Sequence, residues 1–166
     1  MCKKLTGLIF LAVFLVAGQV WAKDLKVGEV APPFTAMSDQ GKEVSLQDFL
    51  GKTVILYFYP KDETPGCTIE AKGFKDLYPE FQKRGIVILG ISYDNLESHR
   101  QFKADYQIPY LLLVDKDKKI SEAYGAQGNF FANRETFVID PQGNIRRIYR
   151  NVNPAGHAER ILKDME

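Results

Sequence analysis

From Phe34 to the C-terminus, apolar positions fall alternately into short continuous runs and into stripes at three- and four-residue spacing. Thr53 to Tyr59 is nearly all β-branched or aromatic, and so short a run favours a strand buried on both faces over a helix. Pro60 ends it. Thr64 is then a good N-cap, and Pro65 suits the first helical position, where its missing N–H would be unpaired anyway. Gly66 leaves the backbone open to close approach. The helix that opens there presents Ala71, Phe74, Leu77, Tyr78 and Phe81 as one stripe, which reads as core. Pro79 lacks an N–H and clashes with the carbonyl of Lys75, so the helix should kink or split in two before Gly85 closes it.

Ile86 to Ile91 reads as a second buried strand, Leu96 to Tyr106 as a helix and Tyr110 to Val114 as a third strand, a βαβ rhythm. Asp115 to Lys119 reads as a solvated charged turn, followed by a short helix through Ala123 that Gly125 ends. Ala126 to Asn133 has no period and reads as a loop. Glu135 to Asp140 and Asn144 to Val152 flank Pro141-Gln142-Gly143, which predicts an antiparallel hairpin with Arg146, Arg147 and Arg150 facing water. Asn153-Pro154 repeats the cap-plus-proline signal ahead of a last helix carrying Ala158, Ile161 and Leu162. Upstream, Ala31-Pro32-Pro33-Phe34 brings the chain extended onto the core. Met37 to Lys42 turns, Glu43 to Ser45 returns as a strand, and Ser45 caps one helical turn around Leu46 to Leu50 that Gly51 ends. The pattern is α/β: a central mixed sheet flanked by helices, with an N-terminal β-hairpin.

The first residues change the count. Met1-Cys2-Lys3-Lys4 is basic, Leu8 to Val16 is apolar, and Val20-Trp21-Ala22 offers a small-residue cleavage site, so residues 1–22 read as a secretory signal peptide. An uncleaved anchor is the alternative, but the apolar core is shorter than the roughly 20 residues a spanning helix needs, and Gly18 and Gln19 interrupt it. Cys2 precedes the apolar region, which argues against a lipoprotein. Removing 22 of 166 residues leaves 144, residues 23–166, enough for one domain. Lys3 and Lys4 leave too, taking the formal charge from +1 to −1, a balance that gives no electrostatic case for nucleic acid. The expected location is the periplasm, without stable membrane association after cleavage.

The mature chain keeps one cysteine, so no disulfide can form within it. An odd thiol in an oxidising compartment is either masked or kept for reaction. Cys67 falls in the first turn of the helix opened at Thr64, where unpaired N–H groups and the helix dipole stabilise a thiolate, the nucleophilic form. Its plainer reading is a small hydrophobe packed under the sheet.

Pro60, Thr64 and Cys67 stand as P-x-x-x-T-x-x-C, and the string YPKDETPGCTIEA resembles the peroxidatic loop of peroxiredoxins, most closely the bacterioferritin-comigratory, or Q-type, subfamily. The resemblance runs from about Val27 to the C-terminus. It implies a thioredoxin-like fold and a thiol-dependent peroxidase without a cofactor. Attack of a thiolate on a peroxide builds negative charge at both ends, so a cation and fixed donors are needed. The resemblance supplies the cation as Arg134, which begins a late strand; on sequence alone it would be a solvated charge. It also implies that Thr64 meets the sulfur and the peroxide, that the N–H groups of Gly66 and Cys67 hold the peroxide, and that Pro60 shields the thiolate. Glu70 matches the family's acid, though a surface or dipole role serves it equally well.

The chain departs from its subfamily at Lys72, where many members carry a resolving cysteine. This implies a one-cysteine peroxidase recycled by an external thiol or thioredoxin-like reductant; for the assembly, a monomer and a weak homodimer are both open. A rival reading is a non-catalytic redox sensor or binding protein that forms a mixed disulfide through Cys67; another is a scaffold with an inert, buried thiol. There is no C-x-x-C, Walker loop or dinucleotide fingerprint. His99 and His157 sit alone in helical patterns, without metal-ligand spacing, and read as surface histidines.

Overall fold

The structure is a computed structural model that describes residues 24–165; the expected signal peptide lies outside them. Seven strands form one mixed sheet: β1 (Thr35–Ser38), β2 (Glu43–Ser45), β3 (Val54–Phe58), β4 (Val87–Ser92), β5 (Leu111–Val114), β6 (Glu135–Ile139) and β7 (Ile145–Tyr149). Their order is β2-β1-β5-β4-β3-β6-β7, with β3, β4 and β5 parallel and the other pairings antiparallel. The helices are α1 (Pro65–Asp76), α2 (Tyr78–Lys83), α3 (Leu96–Tyr106), α4 (Lys119–Tyr124) and α5 (His157–Asp164), with one 3₁₀ turn at Leu46–Phe49. This is the thioredoxin-like α/β fold, and the N-terminal hairpin is present as β1 and β2, paired Thr35 to Ser45.

Alternation along β3 divides the interior in two. Val54, Leu56 and Phe58 join Leu89, Ile91, Phe137 and Tyr124 on one face, while Ile55, Tyr57 and Tyr59 join Phe74, Phe81, Phe102 and Ile161 on the other. All five residues of β3 are buried, as a strand covered on both faces requires. The Phe74, Phe81 and Phe102 side chains are fully enclosed, and each contributes about 1.5–3 kcal/mol of burial. Gly90 lies beneath the Tyr57 ring, where a Cβ would come within 2.8 Å of the phenol and 2.9 Å of Leu112 Cδ2, so only glycine leaves the ring its place. Pro79 does split its helix, standing second in α2 after Leu77 separates it from α1.

Several polar positions differ from the sequence reading. His99 and His157 are buried, not on the surface, at 0 % and 4 % exposed. Each has a partner far along the chain, since an imidazole can enter a core once its nitrogens are bonded: His99 meets Asp62, and His157 Nε2 lies 2.9 Å from Thr136 Oγ1. Arg150 is half-buried and paired with Glu135, while Arg146 and Arg147 face water. Asp115 is buried too, because its carboxylate accepts the Ile120 and Ser121 N–H groups at the start of α4, at 3.0 and 2.8 Å. The last helix begins at His157, behind Gly156 in the left-handed region, so Asn153 and Pro154 belong to the approach and not to the cap.

Candidate active site

β3 stops at Phe58, where Tyr59 still donates to Ile91 O at 3.0 Å and Pro60, with no N–H, ends the pairing. A short loop then delivers Thr64 as the N-cap of α1, with Pro65, Gly66 and Cys67 as its first three residues. The Thr64 backbone is extended, as a cap requires, but its side chain makes no capping bond; the hydroxyl donates to Lys61 O at 3.0 Å. The Thr64 hydroxyl therefore points its proton at Lys61 O and not, as expected, at the sulfur. The threonine proton is committed to the loop, which leaves the oxygen's lone pairs as acceptors. Pro60 stands beside the loop, half-buried.

Cys67 is a free thiol, 1 % exposed. Arg134 reaches it from across the sheet. In the antiparallel register Phe58 stands opposite Glu135, which puts Arg134 just beyond the end of β3, and Val152 N anchors the Arg134 carbonyl at 3.1 Å. Its Nη2 lies 3.2 Å from Cys67 Sγ while its Nη1 donates to Glu70, three residues along α1 from the cysteine and on the same face. One guanidinium thus bridges the sulfur and a carboxylate, a task its planar fork suits.

Glu70 is not a surface residue: its side chain is completely enclosed, and its Oε1 has no partner among the described residues. Burial pushes its carboxyl up from 4.5 to about 7, against the pull of Arg134. Burial also works against the Arg134 charge, but Glu70 and Cys67 outweigh it and hold the guanidinium above its ordinary range. Gly66 packs closely against the site, since a Cβ there would lie 3.2 Å from Arg134 Nη2 and 3.6 Å from Pro154 Cγ. Pro154 therefore borders the site, a role its sequence context, a plain cap signal, gives no hint of. The N–H groups of Gly66 and Cys67 belong to the first turn of α1 and have no acceptor within the helix.

The arrangement is a thiol at a helix N-terminus with a cation against its sulfur and free donors beside it, suited to nucleophilic attack with stabilisation of a developing anion. Comparison with known proteins agrees with that chemistry. Residues 27–148 match the AhpC/TSA family. A peroxiredoxin bcp of Coxiella burnetii is 44 % identical over 146 residues, spanning 83 % of this chain and 97 % of that protein. The chloroplastic peroxiredoxin Q of Gentiana triflora is 43 % identical over 151 residues, 89 % of this chain and 69 % of its own. Among solved structures, a cysteine-to-serine mutant of PrxQ from Xylella fastidiosa superimposes with a TM-score of 0.82 at 29 % identity, over 86 % of this chain and 96 % of that one. The bacterioferritin comigratory protein of Xanthomonas campestris, studied for alkyl peroxide reduction, gives 0.76 at 33 % identity, over 80 % and 89 %. The chain belongs to the AhpC/TSA family, as a peroxiredoxin of the bacterioferritin-comigratory, or Q, type and so a thiol-dependent peroxidase.

Proposed function

We propose that the mature chain is an exported, one-cysteine peroxidase that reduces hydrogen peroxide or small organic hydroperoxides through a sulfenic acid on Cys67. The observation that carries this reading is the 3.2 Å approach of Arg134 Nη2 to Cys67 Sγ in the first turn of α1. The thiolate attacks the terminal peroxide oxygen in line. The S–O bond forms as the O–O bond breaks, sulfur is oxidised, and the other oxygen leaves as an alkoxide or hydroxide that takes a proton from water. Arg134 stabilises charge at the sulfur and on the peroxide; the N–H groups of Gly66 and Cys67 hold the peroxide, whose O–H donates a hydrogen bond to the Thr64 oxygen and stays on the oxygen that is transferred to sulfur. Pro60 keeps bulk water from the sulfur.

The mature chain has no second cysteine, so the sulfenic acid is recycled from outside. One external thiol, free or on a thioredoxin-like protein, condenses with it and releases water, and a second thiol reduces the mixed disulfide and regenerates Cys67. The chain works in the periplasm after cleavage behind Ala22, as a monomer or weak homodimer.

The test is the second-order rate of Cys67 thiol loss with hydrogen peroxide, against Arg134→Ala and against a free small thiol. Arg134→Ala is expected to slow the reaction by about 10²–10³, the usual effect of removing one preorganised donor. A wild-type rate equal to that of the free thiol, untouched by the substitution, would leave the redox-sensor reading in its place. Cell fractionation and N-terminal sequencing test export, with Lys23 as the expected first residue.

A further inference from the structure

The loop between β3 and α1 contains a buried carboxylate that the peroxide chemistry does not use. Asp62 is 4 % exposed although its neighbours Lys61 and Glu63 are in solvent. Its Oδ1 accepts from the Tyr59 hydroxyl at 2.7 Å, and its Oδ2 accepts from Ser98 Oγ at 2.7 Å and lies 2.9 Å from His99 Nδ1. His99 stands on α3, completely buried, and its Nε2 lies 3.1 Å from Leu113 O of β5. The ring nitrogens face Asp62 Oδ2 and Leu113 O, so His99 bridges the loop carboxylate to β5. Tyr59 remains a donor, because burial and then the Asp62 charge raise its hydroxyl well above its ordinary range.

The backbone of the loop is tied as well. Asp62 N donates to Asp94 Oδ2 at 2.9 Å, and Asp94 accepts from Ser92 Oγ, at the end of β4, at 2.7 Å. Asp62 therefore fastens the loop directly to α3, and through His99 and Asp94 to β5 and β4. The next residue, Glu63, stands in the left-handed region at φ 61°, a conformation that a non-glycine residue keeps only when its surroundings hold it.

We propose that the buried Asp62–His99 pair is a positioning device for the peroxidase site: it clamps the β3–α1 loop onto α3 and β5 and thereby fixes Thr64, Gly66 and Cys67 relative to Arg134. A buried carboxylate–imidazole pair adds little net stability over an apolar pair of the same shape, so stability alone gives it a weak reason to be there. Geometry gives a stronger one, because in-line attack tolerates little displacement, and a shift of about 1 Å costs about 10²-fold in rate. The proposal rests on the peroxidase reading of Cys67.

The experiment compares wild type, Asp62→Asn and Ser98→Ala at a temperature where all are folded, measuring Cys67 reaction with hydrogen peroxide and, separately, with iodoacetamide. Alkylation needs a reactive thiolate but no aligned peroxide pocket, so a clamp acts on the ratio of the two rates. Asp62→Asn is expected to lower the peroxide rate by about 30- to 100-fold, with alkylation staying within about threefold. Ser98→Ala removes one bond to Asp62 and leaves the pair in place; it is expected to lower the peroxide rate by about two- to tenfold, and it decides alone if Asp62→Asn does not fold. Unchanged peroxide rates in folded variants would overturn the clamp and leave the peroxidase reading standing. Equal losses with both reagents would also overturn it, since they would mark a general change at the thiol. A wild type no faster with peroxide than a free thiol would overturn both.

Discussion

Replacing Glu70 by Gln is expected to make the domain's stability less dependent on pH, in a direction fixed by the burial of that carboxyl. Glu70 ionises at about 7 in the folded chain against 4.5 for an unburied carboxyl. Below pH 4.5 it is protonated whether the chain is folded or not. Between 4.5 and about 7 the folded chain holds a proton that the unfolded chain releases, so stability falls as pH rises through that window. Above it the loss is complete and amounts to roughly 3 kcal/mol, at 1.36 kcal/mol per pH unit of displacement. Gln keeps an acceptor for Arg134 Nη1 but cannot ionise, so this contribution disappears; the charge pair with Arg134 exists only where Glu70 is ionised, and its pull is already contained in the folded value of about 7. Urea unfolding of both proteins at pH 5 and pH 8 measures the difference. From pH 5 to pH 8 wild type is expected to lose about 2–3 kcal/mol more than Glu70→Gln, a relative movement of about 1 M in the urea midpoint. Parallel stability curves for the two proteins would refute the reasoning and would mean that Arg134 keeps Glu70 ionised throughout.

His157 works in the opposite sense. Burial, with Arg160 and Arg134 nearby, lowers its ring from 6.5 to about 4, so stability is lost as pH falls through that interval, by up to roughly 3 kcal/mol; thermal melts of His157→Gln should show a flatter acid limb. Gly66→Ala places a methyl 3.2 Å from Arg134 Nη2, so the guanidinium against the sulfur must shift by a few tenths of an ångström. The peroxide rate should fall about tenfold, while unfolding in urea moves by less than about 1 kcal/mol.

Elements set by local chemistry were legible in the sequence. The limits of α3, Leu96 and Tyr106, are marked in the chain itself, because Asn95 accepts from Ser98 N at one end and Gln107 turns left-handed at the other. The break at Pro79 follows from a missing N–H. What the pattern does not carry is the partner of a polar side chain. His99 looks solvated in a helical stripe, and its burial is decided by Asp62, 37 residues earlier. His157 depends in the same way on Thr136, 21 residues away, and Arg150 on Glu135. At the site, Cys67 at the head of a helix could be read from Thr64, Pro65 and Gly66. Arg134 could be assigned only through the family motif, because nothing local separates it from a surface arginine. The turn of the Thr64 hydroxyl toward Lys61 and the enclosure of Glu70 depend on the loop path and on the sheet register, neither of which has a one-dimensional signature.

That register has a consequence for how the enzyme fails. The sulfur and the guanidinium are 67 residues apart in sequence, and the strands that deliver them, β3 and β6, are held together by five backbone pairs. Both strands lie inside the sheet, each with a neighbour on its outer side. Fraying at the β2 edge leaves those pairs intact, so activity lost ahead of the cooperative transition of the sheet marks release of the β3–α1 loop or of the Val152–Arg134 anchor and not separation of β3 from β6.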